Sequence, residues 1–291
     1  MGAGVGIMNE SFRAACVIGW PAGHSRSPLI HNYWIKQHGL AAEYRREAVP
    51  PDKFAEFIAG LSERGYIGAN VTLPHKEAAL ALSDPDDRAQ AVGAANTLWF
   101  EGRKLRSTNT DVEGFLENLD AATPRWDSGL RSAVVLGAGG AAQAIVFALL
   151  GRGIAQVHVG NRTFEKAETF RERFGERVHP VHWAEINGLL AGAQLLVNAT
   201  SLGMTGQPEL GIEVGHLPGS AVVADIVYAP LETSLLAAAK KRGLRTADGL
   251  GMLLHQAVRG FSLWFGIRPE VTAELRGLVE ADLQQGATAE R

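Results

Sequence analysis

Val134-Val135-Leu136-Gly137-Ala138-Gly139-Gly140-Ala141-Ala142 passes from branched apolar residues through clustered glycines into an alanine-rich run. Its G-x-G-x-x-A spacing predicts a strand, a tight turn and a helix, in that order. Gly137 permits the turn, Gly139 lets backbone N–H groups approach an anion, and small Ala142 lets the helix pack closely on the strand. A helix N-terminus adds favourable potential for negative charge. Gly137, Ala138, Gly139, Gly140 and Ala141 are therefore expected to cradle a dinucleotide pyrophosphate.

The alternation continues on both sides of this turn. Downstream, 156–159 reads as a strand and 165–174 as a helix, with strands at 195–198 and 221–226 and a long helix at 253–265. Upstream, strands at 15–19, 43–49 and 69–72 alternate with helices at 28–38, 53–64 and 77–82. Residues 97–100 and 104–107 flank Glu101-Gly102, a hairpin at one edge; 112–119 is a helix and 123–129 a surface connection. Such order predicts an α/β fold with parallel sheets covered by helices on both faces. After Ala281 the pattern fades, and the tail is expected to fray.

An NAD site usually places Asp or Glu near the end of the second strand, to accept from the ribose 2′-hydroxyl. No carboxylate lies between Gln156 and Thr163. Arg162 and Thr163 offer donors instead, and Lys166 follows one turn later. Such donors suit a 2′-phosphate, which predicts NADP(H).

A length of 291 residues suits about two domains. With 46% hydrophobic and 20% charged residues, the composition is that of a globular chain. The net charge of −3, with both signs mixed, argues against a nucleic-acid partner, so an anionic ligand needs local donors. No apolar run approaches the ~18 residues of a membrane span. The N-terminus lacks the charged head and apolar core of a secretory leader, and Gly6 stands where a myristoylation motif after Gly2 has Ser or Thr. Cys16, the single cysteine, reads as a buried structural thiol. A reducing, cytoplasmic setting is expected.

In the first half, Ser25-Arg26-Ser27-Pro28 precedes a helix whose first position suits Pro28 and whose N-cap suits Ser27. Ser25 and Ser27 bring two hydroxyls to that end, fit to cap the backbone or to grip a small carboxylate. His24 and His31 are expected to be hydrogen-bonded packing residues. Asn70, Thr72 and Lys76 lie at and after the carboxyl end of a strand, where open α/β sheets bind ligands. Asn96-Thr97 and Asn109-Thr110-Asp111 add amide, hydroxyl and carboxylate groups near loop ends. His179-x-x-His182 has no further convergent ligand, so no metal is expected.

Together these residues resemble the shikimate dehydrogenase family. The resemblance rests on Ser25-Arg26-Ser27-Pro28, Asn70-Val71-Thr72-Leu73-Pro74-His75-Lys76, Ala95-Asn96-Thr97 and Asn109-Thr110-Asp111. It continues through Gly137-Ala138-Gly139-Gly140-Ala141, Asn161-Arg162-Thr163, Asn198-Ala199-Thr200-Ser201-Leu202-Gly203-Met204 and Gly251-Met252-Leu253-Leu254-His255-Gln256-Ala257. The match runs in order from about Val17 to Phe265.

The resemblance implies two α/β domains. Residues 1–110 plus 249–291 would form a mixed-sheet substrate-binding and catalytic domain, and 111–248 a Rossmann-type NADP-binding domain. It implies the NADPH-dependent, reversible reduction of 3-dehydroshikimate to shikimate in the chorismate (aromatic amino-acid) pathway. Ser25 and Ser27 would bind the substrate carboxylate, and Asn70, Thr72, Asn96, Asp111 and Gln256 its ring hydroxyls. Tyr228 matches a substrate-side tyrosine, and Lys76 with Asp111 the acid–base pair. Asn161, Arg162, Thr163 and Lys166 match a 2′-phosphate clamp; Met204 and Gly249 fall where the family brackets the nicotinamide, and Thr200 is a further cofactor-binding residue. Where the family has glycine after Asn-Thr-Asp this chain has Val112, expected to narrow the site or shift the backbone at Asp111.

These residue types suit the chemistry. Hydride delivery to a carbonyl builds negative charge on oxygen, which a positioned proton donor quenches. A cleft between two domains excludes water. A quinate or aminoshikimate dehydrogenase, or a weakly catalytic NADPH sensor, would share the fold, and intact Lys76 and Asp111 argue for an enzyme. A monomer and a homodimer are both compatible with the sequence.

Overall fold

The computed structural model describes residues 13–289, with side chains through Gln285. Residues 1–12, on which the leader and myristoylation readings rest, lie outside the described residues. Two six-stranded sheets organise the chain.

The first sheet draws on β1 (Arg13–Gly19), α1 (Ser27–Gln37), β2 (Ala42–Ala48), α2 (Phe54–Ala59) and β3 (Tyr66–Val71). It continues with α3 (Lys76–Ala81), β4 (Asp84–Pro85), α4 (Asp87–Val92), β5 (Thr97–Glu101) and β6 (Lys104–Thr108). Its strand order is β2-β1-β3-β5-β6-β4. β1 runs parallel to β2 and β3, whereas β5 is antiparallel to β3 and β6, so the sheet is mixed. The β5–β6 hairpin turns at Gly102, whose positive φ of 60° suits glycine, and two-residue β4 covers its edge. Successive side chains of β1 point to opposite faces. Ala15 and Val17 join Trp34, Phe261 and Trp264 on one face; Cys16 and Ile18 join Phe54, Ile58 and Leu98 on the other. Cys16 is thus a free, buried thiol.

After α5 (Asp111–Ala122) the second sheet collects β7 (Ser132–Leu136), α6 (Gly140–Gly151), β8 (Gln156–Asn161), α7 (Phe164–Phe174) and β9 (Val178–His182). It is completed by α8 (Ile186–Leu189), β10 (Leu195–Asn198), β11 (Val222–Asp225), α9 (Ser234–Lys241) and β12 (Arg245–Ala247). All strands are parallel, in the order β12-β11-β10-β7-β8-β9. The winding reverses between β7 and β10, and the crevice at their carboxyl ends is where doubly wound sheets bind ligands.

The chain then returns through α10 (Gly249–Phe265) and α11 (Ala273–Ala289) to the first sheet. α10 also packs closely on α5, because Gly114 has no side chain: a Cβ there would lie 2.6 Å from Gln256 Cβ. That approach sets Gln256 beside the start of α5.

Three readings need correction. The tail does not fray after Ala281: α11 runs to Ala289, Leu275, Val279 and Leu283 are buried in the core, and Asp282 pairs with Arg26 at 2.6 Å. The helix expected at 53–64 shortens to α2, between a single turn at Pro51–Lys53 and a cap at Gly60. The connection at 123–129 carries Trp126, only 2% exposed, whose indole donates to Asp120 at 2.9 Å. Among the described residues no helix is long and apolar enough to cross a membrane.

Candidate active site

β1, β3 and β6 run in the same direction, so the turns that follow them gather on one edge of the first sheet. These turns carry Ser25, Thr72, Lys76 and Asp111, and antiparallel β5 brings Asn96-Thr97 to the same edge at its start. Lys76 opens α3 and Asp111 opens α5, 35 positions later; Lys76 Nζ donates to Asp111 Oδ2 at 2.5 Å. Both side chains are nearly buried, 13% and 8% exposed. Asn96 Nδ2 donates to Asp111 Oδ1 at 2.9 Å, and the Asp111 N–H donates to Asn109 Oδ1 at 3.1 Å. A carboxylate out of water persists when it is paired and hydrogen-bonded, as this one is on both oxygens.

A polar scaffold surrounds the pair. The Thr110 N–H donates to Asn96 Oδ1 at 2.8 Å, and Thr110 Oγ1 lies 3.4 Å from Gln256 Oε1. Asn70 Nδ2 donates to Thr97 Oγ1 at 3.0 Å and to the Asn96 carbonyl at 3.3 Å, while Asn70 Oδ1 accepts from the Tyr44 hydroxyl at 2.7 Å. Both N–H groups of Asn70 and of Asn96 are therefore engaged within the protein. As arranged, the two amides hold the wall of the site and offer no free donor to a ring hydroxyl. The Thr72 hydroxyl, by contrast, has no partner among the described residues.

At the serine turn the N-cap is Arg26, not Ser27, and Ser27 and Pro28 are the first two residues of α1. Ser25 Oγ accepts from the Ser27 N–H, the first of α1, at 3.3 Å, and the buried Ser27 hydroxyl has no partner among the described residues. His24 is exposed rather than packed. His31 is fully buried and stacked on Tyr44 at 4.1 Å, but neither ring nitrogen has a hydrogen-bond partner among the described residues. Burial pushes its pKa down to about 3. Tyr228 packs against the α10 side of the first sheet. Burial pushes its phenol up, while the charges of Arg26 and Arg46 pull it down.

The second sheet faces this edge with the glycine turn. Gly137 has φ +106°, and a Cβ there would lie 2.9 Å from the Ala199 carbonyl, so only glycine fits. Gly139 caps α6 in extended conformation, with no protein atom within 4 Å of where a Cβ would stand. Ala138 and Ala141 flank these glycines, and buried Ala142 packs the helix onto β7. A cavity of about 300 Å³ lies between the sheets, lined by Leu73, Lys76, Gly139, Gly140, Gln143 and Lys166 among others. Asn161 Nδ2 donates to the Thr163 carbonyl at 2.8 Å, shaping the turn before α7. Thr163 stands at the N-cap, yet its hydroxyl makes no capping bond. Exposed Arg162 and Lys166 form no ion pair among the described residues. An open glycine cradle at a helix N-terminus with uncommitted cations near the second strand fits NADP(H).

Two loops close the crevice beyond β10 and β11. Thr200 Oγ1 donates to Asn198 Oδ1 at 2.7 Å, Asn198 Nδ2 donates to Asp225 Oδ1 at 2.9 Å, and Thr233 Oγ1 donates to Asp225 Oδ2 at 2.7 Å. Met204, 39% exposed, lies on a turn whose Thr205 N–H donates to the Ala229 carbonyl, beside Tyr228. Gly249 opens α10 against the carbonyls of Ile226 and Val227. His179 sits 5.2 Å from His158, while His182, in register with Asn161, stacks on Phe164 beside the turn before α7; three residues apart on a strand, the two point to opposite faces.

Comparison with known proteins agrees with this geometry. Residues 17–98 match the shikimate dehydrogenase substrate binding domain, 122–205 the shikimate / quinate 5-dehydrogenase domain and 249–273 the shikimate 5′-dehydrogenase C-terminal domain. A shikimate dehydrogenase (NADP(+)) of Rhodopseudomonas palustris strain TIE-1 is 65% identical, over 95% of this chain and 99% of its own. The chain belongs to the shikimate dehydrogenase family. Among solved structures, the Thermus thermophilus shikimate 5-dehydrogenase in complex with NADP(H) and shikimate superposes with TM-score 0.79 at 35% identity, covering 94% of this chain and 98% of that one. A quinate dehydrogenase of Corynebacterium glutamicum in complex with NAD superposes with TM-score 0.84 at 31% identity, covering 92% and 98%.

Against the family pattern, Val112 does not intrude on the site. Its side chain is buried with Phe115, Ala142 and Ile145 in the core of the second sheet, while Asp111 beside it points to Lys76. Tyr44, Asn109 and Thr110 complete the scaffold around the pair. Asn109 and Thr110 stood in the quoted triplet without a role, and no local pattern marks Tyr44.

Proposed function

We propose that this protein catalyses the NADPH-dependent, reversible reduction of 3-dehydroshikimate to shikimate, a step towards chorismate and the aromatic amino acids. The observation that carries the reading is Lys76, paired with nearly buried Asp111, lining a cavity whose other wall is the glycine turn. Residues 1–110 with 249–291 serve as the substrate-binding and catalytic domain and 111–248 as the NADP-binding domain. A cytoplasmic location accompanies this reading.

Ser25, Ser27 and Tyr228 receive the substrate carboxylate. Thr72, Asp111 and Gln256 address the ring hydroxyls, with Asn70 and Asn96 holding that wall rigid. Gly137, Ala138, Gly139, Gly140 and Ala141 take the pyrophosphate. Asn161, Arg162, Thr163 and Lys166 take the 2′-phosphate, and Thr200, Met204 and Gly249 flank the nicotinamide. NADPH, when bound, supplies the hydride. Lys76 gives a proton to the substrate oxygen as charge builds there, and Asp111 keeps the ammonium aimed. In the reverse direction the same pair receives the proton.

A second reading, quinate oxidation with NAD, draws on the similarity to the Corynebacterium enzyme. Nicotinamide absorbance followed with shikimate and with quinate, each with NADP and NAD, separates the two. Shikimate with NADP is expected to be fastest. Faster quinate turnover overturns the substrate assignment, and no turnover with any pair overturns the enzyme.

A further inference from the structure

Two guanidinium groups stand behind the serine turn, and their surroundings differ. Arg26 points to α11, where Asp282 neutralises it at 2.6 Å, and its Nη1 also donates to the His24 carbonyl at 3.1 Å. Arg46 lies on β2, on the same face as Tyr44, and its Nη2 donates to the Ser25 carbonyl at 2.6 Å. The charged neighbours of Arg46 on β2 turn to the opposite face: Arg45 pairs with Glu43, and Glu47 accepts from the Tyr66 hydroxyl. No carboxylate pairs with Arg46 among the described residues. A guanidinium has five N–H donors in a fixed fork, so one bond to a carbonyl leaves most of them uncommitted. The charges of both arginines also pull down the pKa of the Tyr228 phenol. An uncompensated cation is thus bonded to the backbone of the turn that presents the Ser25 and Ser27 hydroxyls.

We infer that Arg46 is a specificity-determining residue, whose charge selects a carboxylate-bearing substrate at the Ser25–Ser27 turn and disfavours neutral analogues. The inference rests on the proposed placement of the substrate carboxylate at that turn. Hydroxyl donors alone distinguish an anion from a neutral ester weakly, whereas a fixed positive charge acts on the anion only. Arg46 makes no hydrogen bond or ion pair with Lys76 or Asp111, so its charge is expected to affect capture of the acid and not the chemical step.

The test compares shikimate with its neutral methyl ester, using the full chain with NADP and the variants Arg46→Met and Arg46→Lys. Methionine keeps much of the apolar stem without charge, and lysine keeps the charge without the fork. Arg46→Met is expected to raise KM for shikimate roughly five- to twentyfold, the scale of one charge-assisted hydrogen bond at a partly exposed site. Its kcat, and the KM or inhibition constant for the ester, should stay within about twofold of the parent, and Arg46→Lys should recover most of the loss. A KM for shikimate unchanged in Arg46→Met overturns the inference, as does an equal loss for acid and ester, which would show that Arg46 only braces the turn. A parent protein that does not turn over shikimate sinks the functional reading, and this inference falls with it.

Discussion

A Cβ on Gly140 would lie 3.3 Å from Cδ of Lys76, tighter than ordinary contact, so the glycine turn of the second sheet leaves the lysine of the first the space that a side chain there would take. Two halves of the chain, each built around its own sheet, thereby share one crevice. In the proposed reading one half brings the cradle for a dinucleotide and the other a proton donor, and the space between them is about 300 Å³. Reactions that need hydride and proton delivered to neighbouring atoms call for such a juxtaposition.

Replacing Lys76 by alanine removes the proposed proton donor while leaving the serine turn intact. The expected result is a kcat lower by about 10²–10⁴, the usual range for a general acid. Shikimate affinity, measured by titration without cofactor, should change by less than about tenfold. A variant with near-normal kcat would take Lys76 out of the chemistry.

The clamp before α7 predicts a change of cofactor preference. Arg162 and Lys166 are exposed and without ion-pair partners among the described residues, so removing both disturbs little of the fold. The double change Arg162→Ala with Lys166→Ala should raise KM for NADP by roughly 10- to 100-fold, the worth of one or two charge-assisted bonds. KM for NAD, which lacks the 2′-phosphate, should hardly move. An equal rise for both cofactors would assign these side chains to the fold.

Asn96 is 3% exposed and binds Asp111, Thr110 and Thr97 at once. Truncation to alanine leaves several buried groups without partners, each costing about 1–3 kcal/mol. Asn96→Ala should therefore lower unfolding free energy by about 2–4 kcal/mol and cut kcat, since Asp111 loses a partner on one oxygen. Denaturant titration checks the first effect, and a loss below about 0.5 kcal/mol contradicts the scaffold.

What could be read along the chain was what is local. The glycine turn demands its spacing within nine residues, and the missing acid after β8 is a single-position signal. The Tyr44–Asn70–Thr97 and Thr110–Gln256 contacts instead join residues from 26 to 146 positions apart, through sheet register and the approach of α5 to α10. No window of sequence contains them. Composition places the cap at Ser27, but helix starts are set by backbone bonds, here the Ile30 N–H donating to the Arg26 carbonyl at 3.2 Å, which makes Arg26 the cap. α11 is weakly marked for a related reason: Leu275, Val279 and Leu283 repeat at a helical spacing, but the polar residues between them weaken the signal until packing on α1 and α10 supplies the stability.

Asp225 gives a pH dependence whose direction follows from its burial. It is 2% exposed, and desolvation raises its pKa from 3.8 to about 6, against the hydrogen bonds from Thr233, the Val227 N–H and Asn198. An acid whose folded pKa lies above its unfolded value favours the folded state in its protonated form. That contribution is complete below about pH 4 and is lost as pH rises through about 6. Asparagine keeps the shape without ionising, and its amide can donate to the Thr233 hydroxyl, which then accepts. The stability of Asp225→Asn relative to the parent should therefore rise between pH 4 and 6 by on the order of 2–3 kcal/mol and level off above that window. Urea unfolding of both proteins at a series of pH values reads this difference directly, because other titrating groups cancel. A difference independent of pH would mean that the Asn198 and Thr233 bonds hold Asp225 near its ordinary acidity. The residue would then tie the Thr200 and Tyr228 loops together as a carboxylate at every pH tested.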